Sequence, residues 1–218
     1  RLEAWGIPCE WLFSTFIEDD DLFFGGEEAL RQTLLEARVG RGDALLGVAV
    51  NCAPALIGDD VRGICTAFAP GVSVAVVEAG GFTGDFDDGY GKAFLAVLEA
   101  LRPVPCPPTP GTVNLIGFSP LEEHAAENLA ESKRQLFRRG IEVHLTFGAP
   151  GTTVESIRKA GRAVLNVVLH EGRGEAIAAW FQEHLGQPSI FAPLSDAANK
   201  KSGQLDAIEA ALRMEKRR

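Results

Sequence analysis

Several motifs that would assign a function directly are missing from this sequence of 218 residues. No apolar run reaches the roughly 18 residues that a membrane-spanning helix needs, and the first residues lack the charged-then-apolar pattern of a signal peptide. No dinucleotide-binding G-x-G-x-x-G, P-loop G-K-[ST] or H-E-x-x-H zinc motif stands out. These absences favour a cytoplasmic protein with no membrane partner, and they argue against a P-loop nucleotidase or a zinc protease.

Positive charge is also scarce. The chain has 30 acidic and 21 basic residues, which gives a net charge of −9. Non-specific binding to nucleic acid depends on a basic surface that meets the phosphates. The one basic cluster, at residues 213–218, is short and interrupted by a glutamate, which is typical of a solvated helix end. We therefore expect no nucleic-acid partner.

The cysteines do not form a recognisable metal or disulfide pattern. Four are present, Cys9, Cys52, Cys65 and Cys106, and no two of them form a C-x-x-C pair or a zinc spacing. A disulfide framework is unexpected in a cytoplasmic chain. Free cysteines are usually small core residues, so a metal role for any of them needs further evidence.

The pattern of apolar residues predicts alternating strands and helices, which indicate parallel sheets covered by helices on both faces. Five prolines between residues 102 and 111 exclude a helix or a central strand there. We therefore predict an α/β fold with two Rossmann-like domains, at residues 1–102 and 112–194. A proline-rich linker at 103–111 joins them, and a C-terminal helix lies within 195–218. The predicted strands are 43–50, 72–77, 112–117, 141–147 and 163–169; the predicted helices are 59–68, 90–101, 120–139, 152–158, 174–185 and 204–213.

Ligand sites in such sheets lie at the carboxyl ends of the strands, and Cys52 follows the first predicted strand directly. The backbone N–H groups near a helix start favour a thiolate. Asp59 or Asp60 is the expected N-cap of the next helix. From position alone, Cys52 is better described as a small structural residue in a tight turn than as a ligand.

Two other loops carry weaker signals. Residues 78–91 are rich in glycine and aspartate, but the aspartate spacing is not that of an EF-hand, which favours a solvated acidic turn over a Ca²⁺ site. Thr152, with Glu155 three residues later, predicts a capping box at a helix start. Such a start also attracts anions, so a small-anion-binding α/β domain without a redox role is an alternative function. His170 closes a strand at the ligand-bearing edge, whereas the other histidines are expected to be structural or surface residues.

Several motifs together resemble one family. Phe-Gly-Gly at residues 24–26 precedes Cys52 with 28 positions between Phe24 and Cys52, and Leu-Ile-Gly-Asp-Asp follows at 56–60. This pattern is similar to that of nitrogenase component 1 subunits and their relatives. These relatives are the cofactor-assembly scaffolds, dark-operative protochlorophyllide reductase and the nickel-tetrapyrrole cyclase of methanogens. Further matches in family order, among them residues 81–84, 114–117 and 151–157, extend the resemblance over residues 9–193.

The resemblance implies a metal role for Cys52. In that family, two cysteines near the N-terminus and a third before Ile-Gly-Asp-Asp hold an iron–sulfur cluster of the [4Fe–4S] type or larger between two similar subunits. Cys52 matches the third, and the first two would precede Arg1. Cys9, Cys65 and Cys106 match no ligand. Since such clusters take four protein ligands, this chain alone is expected to be colourless and inactive.

The resemblance also implies partners: a paralogous α-type subunit and an ATP-dependent iron–sulfur reductase. Phe24 matches an aromatic residue near the cluster and the reductase docking surface, although core packing before the Gly-Gly turn is an equal alternative. His170 stands where the catalytic subunit of nitrogenase has a metal-ligating cysteine. Gly81 stands where the partner subunit has a serine that joins the larger cluster.

The chain therefore fits a β-type or scaffold-type member, with the family's third domain absent. The leading interpretation is an oxidoreductase subunit that relays electrons from the reductase through the shared cluster. The alternative is a scaffold for the biosynthesis of the nitrogenase metal cofactor. The residues do not identify the substrate.

Overall fold

The structure, a computed structural model, describes residues 11–38, 44–68, 72–82, 84–193 and 198–215. Cys9 and Thr83 lie outside the described residues. Within the described ranges, no helix combines the length and the apolar character that a membrane span requires. The chain divides into two compact units, Arg1–Leu101 and Arg102–Arg218.

The described part of the first unit contains a two-stranded parallel sheet and five helices. In its sheet, Leu46 pairs with Val74 and Val50 pairs with Glu78, so both strands end at the same edge. The core packs the inner face of this sheet against two helices, with Leu34, Ile64 and Val76 buried. The elements are α1 Asp21–Phe24, α2 Glu27–Arg38, β1 Leu46–Val50, α3 Cys52–Ile57, α4 Val61–Phe68, β2 Val74–Glu78 and α5 Phe86–Leu101.

The second unit contains a four-stranded sheet whose pairs are all parallel. Its strand order is β4-β3-β5-β6. Every residue of the two central strands, β3 and β5, is buried, as expected for strands that helices cover on both faces. The elements are β3 Thr112–Ile116, α6 Ala125–Arg138, β4 Glu142–Thr146, α7 Val154–Arg158, a 3-10 turn Ala160–Arg162, β5 Leu165–Val168, α8 Glu171–Leu185, β6 Ser189–Phe191 and α9 Ala198–Glu215.

The predicted fold class is confirmed, because both sheets are parallel and strands alternate with helices. Residues 102–111 contain no helix or strand. The Thr109 N–H donates to the Arg162 carbonyl at 2.8 Å, so this proline-rich segment is anchored to the second unit. The first compact unit ends at Leu101, one residue before the predicted end of the first domain at residue 102.

Four helices and strands were not predicted, namely α1, α2, α3 and β6, and several boundaries differ. Helix α3 was predicted as loop, but Pro54 is compatible with the first turn of a helix, where the missing N–H costs nothing. Strand β6 has only three residues and no alternation to detect. Helix α6 begins at Ala125 instead of residue 120 because His124 adopts the left-handed conformation, with φ +54°. Helices α5 and α8 begin four and three residues earlier than predicted.

Candidate metal-ligand site at Cys52

Cys52 is the first residue of α3, and only Asn51 separates it from Val50 at the carboxyl end of β1. Asn51 caps this helix: its side-chain oxygen accepts a hydrogen bond from the Ala53 N–H at 3.1 Å. Gly58 ends the helix in the left-handed conformation, with φ +84°, and its N–H donates to the Pro54 carbonyl. The caps on both sides hold the thiol at the sheet edge where ligand sites are expected.

The Cys52 sulfur accepts a hydrogen bond from the backbone N–H of Gly81, with a donor–acceptor distance of 3.3 Å. Gly81 follows β2, which ends at the same edge as β1. The cysteine is half-buried. Hydrogen bonds to ligating sulfurs favour the thiolate form and influence the reduction potential of a bound cluster. The geometry is therefore compatible with a thiolate ligand.

Asp59 connects the Phe-Gly-Gly segment to the Cys52 segment. Its two carboxylate oxygens accept a hydrogen bond from the backbone N–H of Gly26 at the start of α2, with oxygen–nitrogen distances of 3.3 and 3.1 Å. At Gly25, φ is +90° and an added Cβ would lie 3.0 Å from an Asp59 oxygen. A side chain at this position would be strained by its conformation and crowded by the carboxylate. The carboxylate thus fixes the turn after Phe24 relative to α3.

Asp60 caps the following helix. Its Oδ1 accepts the Gly63 N–H at 2.8 Å, which satisfies a donor in the first turn of α4. Of the two residues predicted as this N-cap, Asp60 is correct and Asp59 is wrong. The reason is that the Asp59 carboxylate is directed to Gly26 instead. The adjacent aspartates therefore hold two different segments, the start of α2 and the start of α4.

Phe24 is 88% exposed, so the interpretation of this residue as a core-packing aromatic is wrong. Other apolar side chains of the first unit are also more than half exposed, among them Phe23, Leu56, Phe82 and Phe86. Leu56 lies on the same short helix as Cys52, and Phe82 follows Gly81 directly. Exposed apolar side chains mark a contact surface only where they form a contiguous patch, and single ones are ordinary on a protein surface. Phe24 as a residue near a cluster stays a prediction.

Two other cysteines, Cys65 and Cys106, lie among the described residues. Cys65 lies in α4 and is only 3% exposed. Burial raises the pKa of its thiol, because the charged thiolate is poorly solvated there. Cys106 lies in the proline-rich segment and is half-buried. Among the described residues, no group of three or more His, Cys, Asp or Glu side chains is arranged to hold a metal ion.

The four histidines all belong to the second unit. His170 is the N-cap residue of α8 and lines a cavity at the end of β5. The His144 ring nitrogen Nε2 lies 3.0 Å from the Lys159 carbonyl oxygen. His184 stacks on Trp180, with ring centroids 4.4 Å apart, and His124 is exposed. His144 and His184 therefore have structural contacts, as expected.

The predicted capping box at Thr152 is wrong by one residue. Thr153 is the N-cap: its hydroxyl oxygen accepts the Ser156 N–H at 3.1 Å, and the Ser156 hydroxyl accepts the Thr153 N–H at 2.9 Å. Thr152 instead donates its hydroxyl to the Thr146 carbonyl at 2.7 Å. Because α7 has only five residues and its first turn is capped internally, it is a poor anion site.

The acidic residues of the glycine-rich loop also have a structural role. Asp85 Oδ1 accepts the N–H groups of Asp87 and Asp88 at 2.9 and 3.1 Å. The Asp88 carboxylate accepts the Asp85 N–H at 3.0 Å in return. This reciprocal arrangement starts α5 four residues before the predicted boundary. It supports the interpretation as a turn and not as a Ca²⁺ site.

The site fits an iron–sulfur cluster only as the contributor of one ligand. Cys52 would supply one thiolate, and such clusters take four protein ligands. A half-buried sulfur at the end of a strand is accessible to a shared cluster. The N–H of Gly81 is the contact that sequence reasoning missed, since a backbone donor is not identified by a side-chain motif.

Comparisons with known proteins agree with the motifs. The nitrogenase iron-molybdenum cofactor biosynthesis protein NifE of Nostoc sp. is 32% identical over 182 residues, which are 82% of this chain and 37% of the relative. NifE of Methanococcus maripaludis is 29% identical over 183 residues, again 82% of this chain and 37% of the relative. A light-independent protochlorophyllide reductase subunit of Rubrivivax gelatinosus is 30% identical over 160 residues, 68% of this chain and 29% of the relative.

The fold is shared with a solved structure described as nitrogenase Cp1 at pH 5. The TM-score is 0.71 at 22% identity, over 92% of this chain and 44% of that chain. The chain thus spans well under half the length of these relatives. The family profile of the nitrogenase component 1 type oxidoreductases matches residues 5–215. Because that match includes nearly all of the sequence, this chain belongs to the nitrogenase component 1 type oxidoreductase family.

Proposed function

We propose that Cys52 is a thiolate ligand of an iron–sulfur cluster that this chain shares with further cysteines and a paralogous subunit. The observation that carries the proposal is the half-buried sulfur at the start of α3, which accepts the Gly81 N–H at 3.3 Å. The two biosynthesis relatives are longer, since the aligned residues are only 37% of each. When bound, the cluster supplies one-electron chemistry.

The residues around Cys52 have distinct parts in this proposal. Gly81 places a hydrogen-bond donor on the sulfur and so stabilises its negative charge. Asp59 holds the turn after Phe24 next to α3 through Gly26. Phe24 offers an exposed aromatic face, which suits contact with a partner protein such as the ATP-dependent reductase.

For the role of the whole protein, we propose a scaffold on which the nitrogenase metal cofactor is assembled. The relatives that align over 82% of this chain are named as cofactor biosynthesis proteins. Gly81 and His170 differ from the residues that the resemblance assigns to the clusters of true nitrogenase, and this favours a non-catalytic member. The paralogous subunit and the reductase are the expected partners.

A second role, an electron relay in a nitrogenase-like reductase, is favoured by one observation. The protochlorophyllide reductase subunit of Rubrivivax gelatinosus is 30% identical over 68% of this chain. In that role the ATP-dependent reductase would reduce the shared cluster, and a substrate would be reduced in the paired subunit. The small-anion alternative at Thr152 is disfavoured by the internal capping of α7.

One experiment tests the ligand assignment. The complete gene is expressed anaerobically with that of its paired subunit, and the iron content and visible absorbance of the complex are measured for Cys52→Ala and Cys65→Ala. We expect Cys52→Ala to lose cluster iron and the buried Cys65→Ala to retain it. Equal iron in the Cys52→Ala and wild-type complexes would sink the proposal.

A second assay separates the two roles. A scaffold complex should activate a nitrogenase component 1 that lacks its metal cofactor, and this activation should depend on the reductase. A relay complex should instead consume reductant and ATP when a substrate is supplied, and it should leave the cofactor-free nitrogenase inactive. The iron content does not distinguish them, since both roles require a cluster.

A further inference from the structure

Three amide side chains are buried side by side in the second unit. Asn114 in β3 and Asn166 in β5 are both 0% exposed, and they are direct neighbours in the register of the two strands. Gln187, two residues before β6, is 5% exposed. A buried amide is stable only when its polar atoms are hydrogen-bonded, because burial removes the water that would otherwise bind them. The three side chains therefore require partners inside the protein.

The nitrogen atoms of two of these amides bind a turn of the backbone. Asn114 Nδ2 donates to the Ala160 carbonyl at 3.0 Å and to Asn166 Oδ1 at 2.9 Å. Gln187 Nε2 donates to the same Ala160 carbonyl at 3.3 Å and also to the Ala163 carbonyl. The shared acceptor makes the three amides one connected group, which we call the amide cluster. Because this turn precedes β5, the amide cluster lies toward the amino ends of the strands, opposite to the edge at which the strands end.

One polar atom of each amide has no hydrogen-bond partner among the described residues: Asn114 Oδ1, Asn166 Nδ2 and Gln187 Oε1. Exchanging the nitrogen and the oxygen of an amide does not remove this mismatch. Asn114 and Gln187 must each direct a nitrogen to the Ala160 carbonyl, and Asn166 must direct an oxygen to Asn114 Nδ2. The bonds already formed thus fix the three orientations, and one donor and two acceptors remain.

A single water molecule is the ligand that matches this set. Water can accept one hydrogen bond and donate two, and a buried water typically makes about three hydrogen bonds to polar groups that would otherwise be unsatisfied. A metal ion fits poorly, because the Asn166 N–H would point at it and the amide cluster offers no carboxylate. An anion fits poorly for the opposite reason, since two amide oxygens would face it.

We propose that the amide cluster binds one buried water molecule, which accepts a hydrogen bond from Asn166 Nδ2 and donates to Asn114 Oδ1 and Gln187 Oε1. This water completes the hydrogen bonding of β3, β5 and the segment before β6 at one point. None of the three side chains is more than 5% exposed, so exchange of the water with solvent requires a local opening of the second unit.

The turn that the amide cluster holds also anchors the proline-rich segment. The Arg162 carbonyl accepts the Thr109 N–H at 2.8 Å. At Gly161, an added Cβ would lie 2.9 Å from the Val104 carbonyl oxygen, so the segment packs directly on the turn. The amide cluster, with its water, therefore supports the place at which residues 102–111 attach to the second unit.

Nuclear magnetic resonance of the isotope-labelled 218-residue chain tests the water directly. We expect a dipolar cross-peak between water and the Asn166 side-chain amide protons, which its sign in the rotating frame distinguishes from proton exchange. Gln187→Met removes the Oε1 acceptor at a similar side-chain length. It should reduce this cross-peak at least about threefold, because the water then loses one of its hydrogen bonds. The same variant should accelerate hydrogen exchange of the Thr109 N–H at least about fivefold, since the turn is held less firmly.

The matched control is Gln182→Met, because Gln182 is an exposed glutamine of α8. It should leave the water cross-peak and the Thr109 exchange rate unchanged. Absence of the dipolar cross-peak in the wild type would overturn the proposal. So would an equal effect of the two glutamine variants, or amide shifts of the cluster that differ between sodium and potassium buffers, which would identify a cation.

If Gln187→Met fails to fold, the wild-type chain still decides. A high-resolution crystal structure should then show a water between the three amides, whereas a direct hydrogen bond from Asn166 to Gln187 would overturn the proposal. None of these outcomes depends on the iron content of the Cys52 variants.

Discussion

The Asp59 carboxylate accepts the backbone N–H of Gly26, 33 positions earlier in the chain, at 3.3 and 3.1 Å. This contact links the start of α2 to the segment that follows the Cys52 helix. It gives a physical reason for two separate sequence motifs, because the glycines leave room for the carboxylate and the carboxylate satisfies a helix-start donor. The turn that carries Phe24 is therefore positioned from Asp59.

The first prediction concerns this link. Asp59→Ala should lower the free energy of unfolding of the first unit by about 1 to 3 kcal/mol, since it leaves a partly buried N–H without its acceptor. Asp59→Asn should have a smaller effect, because the amide oxygen still accepts. Urea unfolding measures both. The exposed Asp19 is the control, and Asp19→Ala should change stability by less than about 0.5 kcal/mol. Equal stability of the Asp59 and Asp19 variants would contradict the assigned contact.

The second prediction concerns the hydrogen bond to the Cys52 sulfur. Gly81→Pro removes the N–H that donates to the Cys52 sulfur. The negative charge on the sulfur is then less stabilised, so a bound cluster should have a more negative reduction potential. A redox titration of the complex, followed by electron paramagnetic resonance, measures the shift.

Gly81→Ala is the matched control for the proline variant. An added Cβ at this position meets no atom within 4 Å, and the N–H is retained. We therefore expect the alanine variant to keep the wild-type potential. An identical shift in the alanine and proline variants would show that the loop conformation, and not the hydrogen bond, sets the potential.

Much of the fold could be predicted from the sequence, for a specific reason. Parallel strands that helices cover on both faces are short apolar runs, so β3 and β5 can be recognised as strands in the sequence. The helices between the strands show apolar stripes. Starts of helices were less predictable. Helix α5 depends on the Asp85–Asp88 capping pair, and α6 depends on a left-handed His124. Each of these is a local conformation that a hydrophobic pattern does not encode.

The site was predicted less completely. The motif around Cys52 makes it the candidate ligand, and its place near the end of a strand follows from the α/β pattern. The hydrogen bond from the Gly81 N–H to the Cys52 sulfur was not predicted, because it depends on the backbone conformation of a loop 29 positions away. Thr152 and Thr153 are chemically equal as caps, and only the serine three residues after Thr153 distinguishes them.

The third prediction concerns Cys52 and Cys65, the two cysteines among the described residues of the first unit. Iodoacetamide should modify Cys52 well before Cys65 in the native chain at neutral pH. Cys65 is 3% exposed and burial raises the pKa of its thiol, so both access and thiolate fraction are reduced there. Peptide mass analysis over time gives the order, and modification in urea, where both thiols are accessible, is the control. Faster modification of Cys65 in the native chain would contradict its burial in α4.

The same raised pKa has a consequence for stability. The folded chain keeps the Cys65 proton to higher pH than the unfolded chain does. The stability that the buried, protonated thiol contributes is therefore fully present below the pKa of the thiol in the unfolded chain. It decreases as the pH rises through the alkaline range toward the folded pKa. Cys65→Ala should reduce this alkaline loss of stability, and urea unfolding at neutral and alkaline pH measures it. An unchanged pH profile in the variant would exclude Cys65 as the cause.

The fourth prediction compares two glycines of the second unit that both have positive φ, Gly117 at +84° and Gly140 at +73°. Gly140→Ala should lower the free energy of unfolding by about 1 kcal/mol, the cost of a left-handed alanine, because an added Cβ there meets no atom within 4 Å. Gly117→Ala carries the same conformational cost and also places a Cβ 3.0 Å from the His170 carbonyl oxygen. We expect a loss of about 2 to 4 kcal/mol there. Urea unfolding of both variants measures the two losses. Their difference gives the cost of the steric clash between the ends of β3 and β5, because the cost of the left-handed backbone is common to both variants. Equal losses in the two variants would mean that the strand ends separate without cost, and that Gly117 is needed for its conformation alone.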